Sequence, residues 1–180
     1  MVIIFLVVLF FLILFLIRVY NGLIRNRELV KNSKGQIEAN MESRWDALKS
    51  IIDGVKDYKS YEAENIVKIV KERQVISNNV SVKDLEKDEE NFSKAFGGLM
   101  ALAESYPDLK ASTLYQDSIE KIDKYETNLK NARMVFNDTV TKYNRSILIF
   151  PNSIIASALG FKEYDYFEGS SDKKDIPSWK

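Results

Sequence analysis

Cysteine and histidine are both absent from this 180-residue chain. Their absence removes disulfides, thiolate nucleophiles, a lipid-modified cysteine and Cys/His zinc sites. It also removes the side chain that most often serves as a general base near neutral pH. Catalysis would fall to Asp, Glu, Lys, Tyr or Ser, and no spacing of these points to a nucleophile with its base. Glycine (7) and proline (3) are scarce, while 29% of the chain is charged. Sheet proteins need more turn residues than that, so long helices are expected. An excess of one charge sign is missing as well, with 26 basic against 26 acidic residues. There is then no global electrostatic footprint for nucleic acid. Gly97-Gly98 lacks the strand context and the lysine of a phosphate-binding loop. The di-metal sites of helical bundles need inward Glu-x-x-His motifs, which a histidine-free chain cannot supply. The expectation is a protein that is not an enzyme, with no catalytic residue, cofactor, metal, nucleic-acid partner or small-molecule substrate.

One long apolar run is present. Val2 to Ile17 reads VIIFLVVLFFLILFLI, sixteen residues without a charge or a small polar group. At about 1.5 Å rise per residue it makes roughly 24 Å of helix, slightly short of the ~30 Å hydrocarbon core. Val19 and Tyr20 extend it if Arg18 snorkels to the headgroups. A cleaved signal peptide would carry a basic n-region and a small-residue cleavage site. Neither is seen, since RVYNGLIRNR comes directly after it. A buried core helix would need a larger protein around it. The run therefore reads as an uncleaved, single-pass anchor over residues 1–19. Arg18, Arg25, Arg27, Lys31 and Lys34 come next, opposed by Glu28 alone. The positive-inside rule then puts the short N-terminus outside and the rest in the cytoplasm.

Beyond the anchor, apolar residues recur at helical spacing. Trp45, Leu48, Ile51/Ile52 and Val55 form one stripe, and Ile66, Ile69/Val70 and Arg73 continue a helical pattern. Ser77-Asn78-Asn79 marks a turn. Leu85, Phe92, Phe96, Leu99, Ala103 and Tyr106 form the next stripe, which Pro107 ends; Asp108 is placed to cap the next helix. Tyr115, Ile122, Tyr125, Leu129, Phe136, Val140, Tyr143, Ile147 and Phe150 then describe one amphipathic helix of about forty residues, ended by Pro151. The fold class is all-α: a transmembrane helix followed by an antiparallel, up-down-up-down four-helix bundle over residues 20–150, with two long and two shorter helices. No proline separates Val55 from Glu64, so the first two helices also fit one continuous rod. Gly97 and Gly98, mid-helix, are read as a close approach between helices.

Bundle parity places the end of the last helix beside the start of the first. The long pair, only half covered by the short pair, would expose apolar surface near the membrane, where a second copy, a partner or lipid could meet it. Two Tyr-Asn steps, Tyr20-Asn21 and Tyr143-Asn144, would then form a polar-aromatic collar where bundle meets bilayer. Residues 151–168 read as a short amphipathic helix and bundle cap. Asn152 or Ser153 would cap this helix, Ile154, Ile155, Ala158, Leu159 and Phe161 would give its apolar face, and Gly160 would end it. Sealing the open end of the bundle is favoured over docking in headgroups. Residues 169–180 are a polar tail.

Three stretches, YNGLIRNRELVKNS, LMALAESYPDLKAS and NARMVFNDTVTKYNRSILIFPNSIIASALGFKEYDYFE, occur in this order behind the apolar run. Together they resemble the LemA family over about residues 20 to 168. The resemblance implies an antiparallel four-helix bundle on one N-terminal membrane helix, with a short outer N-terminus, in bacterial envelope proteins. It implies no activity. Where the family usually has a basic pair before Leu-Ile-Pro, this chain has SRWDALKSIIDG, with Arg44-Trp45 and no proline.

Solvated faces account for Glu62, Glu64, Asp88, Glu89 and Glu90. Core packing accounts for Tyr125, Phe136, Tyr143 and Phe150. Asn137 and Asn144, seven apart and beside the stripe, are read as contacts that set helix register. The combined reading is a protein of the bacterial cell membrane that scaffolds or presents a helical surface. Its partners would be the lipid bilayer, further copies of itself and a membrane protein. The alternative is a monomeric regulatory adaptor of a membrane protease or sensor.

Overall fold

The computed structural model describes residues 1–54, 68 and 80–168. Among them the helices are α1 (Val2–Gly54), α2 (Val82–Ser105), α3 (Pro107–Ala111), α4 (Thr113–Leu148) and α5 (Asn152–Ala158), with no strand. The chain is all-α, with an N-terminal apolar helix followed by helices that pack together. The expected second bundle helix and the 169–180 tail lie outside the described residues, as do Glu62 and Glu64; Lys68, from that second stretch, is helical. Anchor and first bundle helix are one uninterrupted helix. Its first seventeen residues are all exposed, so only an apolar solvent can satisfy them.

Packing divides the chain into two compact units. One comprises Met1–Gly35 and Arg133–Tyr166, the other Gln36–Ala132 and Phe167–Lys180. In the first unit, α1 buries Leu23, Val30 and Ser33, and α4 buries Phe136, Val140, Tyr143, Asn144 and Ile147. Ser33 Oγ meets Thr139 Oγ1 at 2.8 Å, while Tyr20 and Arg27 lie by Tyr143, so the two stretches run antiparallel. Phe150, expected in the core, is 79% exposed. α4 ends at Leu148, and the turn after it lies past the last buried residue, Ile147.

In the second unit the core gathers Trp45, Leu48, Ile51 and Ile52 of α1 with Phe92, Ala95, Leu99 and Leu102 of α2 and with Tyr115 and Ile122 of α4. Arg44 bonds Glu89 and Glu126, the Tyr115 hydroxyl meets Met100 Sδ, and Gly54 faces Leu114. These pairs make α1 and α2 parallel and α4 antiparallel to both. α2 begins at a capping box formed by the Ser81-Val82-Lys83-Asp84 sequence. The Asp84 amide donates to Ser81 Oγ at 3.2 Å and the Ser81 amide donates to Asp84 Oδ2 at 3.0 Å. Pro107 does end α2, but it also opens α3 as a residue that needs no amide partner there. Asp108 therefore sits inside the first turn of α3 and not at its cap. Among the described residues an added Cβ at Gly97 would meet nothing within 4 Å. Gly54 is tight, since a Cβ there would stand 2.7 Å from a terminal methyl of Leu114.

Candidate functional site

The residues of the family-like C-terminal motif come together in the first unit. α5 ends as its sequence requires. Gly160 adopts a φ of 73°, its amide donates to the Ser157 carbonyl, and the Phe161 amide donates to the Ala156 carbonyl. This is the Schellman arrangement, which a side chain with a Cβ enters only under strain. The chain leaves it without helix over Phe161 to Glu168. At the start of α5 neither Asn152 nor Ser153 caps; Pro151 occupies that position, and Asn152 Nδ2 donates back to the Ser146 carbonyl at 3.2 Å.

The end of α4 holds the emerging segment. The Tyr143 hydroxyl donates to the Lys162 carbonyl at 2.9 Å. Asn144 Nδ2 donates to the Tyr164 carbonyl at 2.9 Å, and the Tyr164 amide donates to Asn144 Oδ1 at 3.0 Å. One buried carboxamide thus satisfies both polar groups of one peptide residue, as a strand neighbour would. Thr141 Oγ1 lies 3.4 Å from the Tyr166 hydroxyl, and the Tyr143 and Tyr164 rings meet edge to face at 5.1 Å. Asn144 therefore latches the C-terminal segment, where helix register had been expected. An exchange of bonds with a backbone carries no helix-spacing signal, so sequence periodicity missed it. α5 turns little of its expected apolar face inward. Ala156 alone is buried on it, while Ile154 and Leu159 are 63% and 54% exposed. A small side chain on the buried face lets the short helix sit close, and the large apolar ones are left outward.

Phe161 then turns toward α1. Its ring meets Tyr20 edge to face at 6.5 Å, and Arg27 Cζ stands 5.4 Å from its centroid. A cavity of about 450 Å³ opens here, lined by Tyr20, Ile24, Arg27, Tyr143 and residues 159–164. Burial and the nearby Tyr164 phenol push the Tyr143 phenol above its ordinary 10.0, and Arg27 pulls it back. The four collar residues are divided. Tyr20 and Tyr143 face this cavity, and Asn144 lies behind it on Tyr164. Asn21 lines a shallow groove along α1 with Phe11, Phe15, Arg18 and Arg25.

A second polar cluster lies in the other unit. Arg44, 1% exposed, donates from Nη1 and Nη2 to Glu89 at 3.1 and 2.8 Å, and from Nη1 to Glu126. Its guanidinium lies over Phe92, with Cζ 3.8 Å from the ring centroid. Trp45 Nε1 donates to buried Asp88 at 2.8 Å. Asp88 and Glu89 are thus structural acids, a correction to the solvated-face reading. The acidic run looked uniformly solvent-facing because the buried cation it serves lies 45 residues away in sequence. Among the described residues no three carboxylates converge as a metal-ion cage requires.

An apolar helix exposed on every side, continuous with packed helices, defines a membrane-anchored, all-α protein whose C-terminal segment is latched back onto its long helices. The chain belongs to the LemA family, whose model matches residues 33–180. It is 28% identical over 151 residues to Protein LemA of Metamycoplasma hominis, covering 83% of this chain and 69% of that one. It is also similar to Magnetosome protein MamQ of Magnetospirillum gryphiswaldense, 32% identical over 76 residues. Magnetosome protein MamQ 2 of Paramagnetospirillum magneticum is 30% identical over 77 residues. The matched stretches cover 42% and 43% of this chain and 28% of each magnetosome protein.

Proposed function

We propose that this protein is a non-catalytic scaffold that self-associates on the cytoplasmic face of the bacterial cell membrane. The observation that carries it is an apolar surface in the first unit that the described residues leave uncovered. Leu29 of α1 and Met134 and Val135 of α4 are 46%, 59% and 46% exposed, beyond the anchor. Large apolar side chains on neighbouring packed helices favour a protein partner, and a second copy brings the same surface at the same membrane height. The basic residues Arg18, Arg25 and Arg27 favour a cytoplasmic bundle.

Native mass spectrometry of the full chain released from nanodiscs tests the reading. A defined oligomer is expected, and Leu29→Asp with Met134→Asp is expected to reduce it to monomers. A wild-type monomer across the accessible concentration range overturns self-association and favours the adaptor reading. Orientation is testable directly, since the chain has no native cysteine. A Ser50→Cys variant is expected to resist membrane-impermeant maleimide in intact cells and to label after lysis. Labelling in intact cells overturns the cytoplasmic placement.

A further inference from the structure

Among the described residues, Arg27 on the wall of the cavity beside Phe161 is paired with no anion. Arg27 Nε is buried without a hydrogen-bond partner, and with the described residues Arg27 forms neither a hydrogen bond nor an ion pair. Its guanidinium instead stands over the Phe161 ring and shares the cavity wall with Tyr143, on whose phenol its charge acts. Lys162 adds a second, exposed cation on the wall, and Glu163 is the wall's single carboxylate, unpaired with Arg27. A guanidinium held by aromatics, with donors left over, is suited to bidentate capture of a phosphate.

The height of the cavity selects the phosphate. Tyr20, on its wall, stands two residues past Arg18, where the apolar run ends. Arg27 lies seven residues on, about 10 Å along the helix. Its side chain leans back toward the helix N-terminus, hence toward the bilayer. The headgroup layer extends about 5–8 Å beyond the hydrocarbon on each side. With Val19 and Tyr20 inside the hydrocarbon, as snorkelling of Arg18 allows, the guanidinium reaches the phosphate level of the adjoining leaflet. The chain segment that builds the wall also presents uncovered apolar side chains: Ile149, Phe150, Ile154 and Leu159 are each more than half exposed. Leu159 itself is on the cavity wall.

We propose that this cavity is a binding site for one anionic phospholipid of the leaflet next to the bundle. Arg27 and Lys162 take the phosphate, and the acyl chains run down past Leu159 along the exposed residues of the turn and α5. The site rests on α1 being the membrane anchor and is independent of self-association.

The test uses the full chain in detergent micelles, with native mass spectrometry reading bound lipid. Phosphatidylglycerol, phosphatidylcholine and inorganic phosphate are titrated separately. One phosphatidylglycerol per chain is expected, bound at least tenfold more tightly than phosphatidylcholine, with inorganic phosphate failing to compete at equal concentration. Arg27→Gln is expected to weaken phosphatidylglycerol about tenfold or more, Lys162→Gln by less, and Arg27→Lys to retain part of it. Arg18→Gln, outside the cavity, is expected to leave it unchanged. Equal retention by wild type and both Arg27→Gln and Lys162→Gln overturns the site. Saturation by inorganic phosphate alone overturns the lipid assignment. Extraction of the protein from membranes by alkaline carbonate overturns the anchor instead, a result legible apart from the lipid titration.

Discussion

Replacing Asn144 by alanine should release the C-terminal segment without unfolding the protein. The wild-type carboxamide, 5% exposed, makes two bonds of 2.9 and 3.0 Å to the peptide groups of Tyr164. Each such bond contributes about 1 kcal/mol net, and the groups left behind cost more where water cannot reach them. Tyr164 is half-buried, so water recovers part of that loss. The local opening free energy should therefore fall by about 2 kcal/mol, roughly a thirtyfold rise in the open population. Hydrogen exchange of the full chain in nanodiscs, read on a peptide covering 161–168, measures this directly. Exchange there should accelerate about thirtyfold, while α2, with the core residue Leu99, keeps its wild-type rate. Asn144→Asp retains an acceptor for the Tyr164 amide but turns a second oxygen toward the Tyr164 carbonyl, so it should not restore protection. Unchanged exchange over 161–168 would refute the latch. So would equal acceleration throughout α4, which would mean that Asn144 serves helix packing after all.

Arg44→Met should lower global stability by about 2–3 kcal/mol, less than a fully buried pair would because Glu126 is half exposed. Denaturant titration checks it, and adding Glu89→Gln should recover part of the loss. Ser81→Ala removes the capping box and should cost about 1 kcal/mol in the same assay. The phenols of Tyr143 and Tyr115 are both raised above 10.0, chiefly by burial, so the folded state binds their protons more tightly than the unfolded one. Stability from this source is complete below about pH 10 and is lost as pH rises through the raised values, so the melting temperature should fall more steeply there. Tyr143→Phe, although less stable for want of the Lys162 bond, should show a shallower fall. An unchanged slope would contradict the assignment.

Much of the helical frame was legible in the residue pattern. Trp45, Leu48, Ile51 and Ile52 are buried as their spacing requires, and so are Leu85, Phe92, Leu99 and Ala103. Pro107 ends α2, and Gly160 ends α5. These features were readable because helical period and backbone restriction act over a few residues. The candidate site was readable only in its components. Tyr143, Asn144, Gly160 and Phe161 all stood out in the sequence, but their tasks were misassigned or left open. Asn144 looked like a register residue, and Phe150 looked like core. Neither the latch on Tyr164 nor the edge-to-face contact of Phe161 with Tyr20 has a local signature, since one joins residues 20 apart and the other 141 apart.

The sequence by itself determined that this protein is all-α, that one helix is too apolar for water, and that histidine and cysteine chemistry are closed to it. Composition and short-range periodicity suffice for those conclusions because each depends on what a residue is and where its helical neighbours lie. Only the tertiary structure decided which polar groups are paired and which are left free. Asp88 and Glu89 became structural when Trp45 and Arg44 were packed against them. Among the described residues Arg27 is paired with no anion and stands over the Phe161 ring. Burial and pairing are properties of distant segments meeting, and no stretch of chain carries them alone.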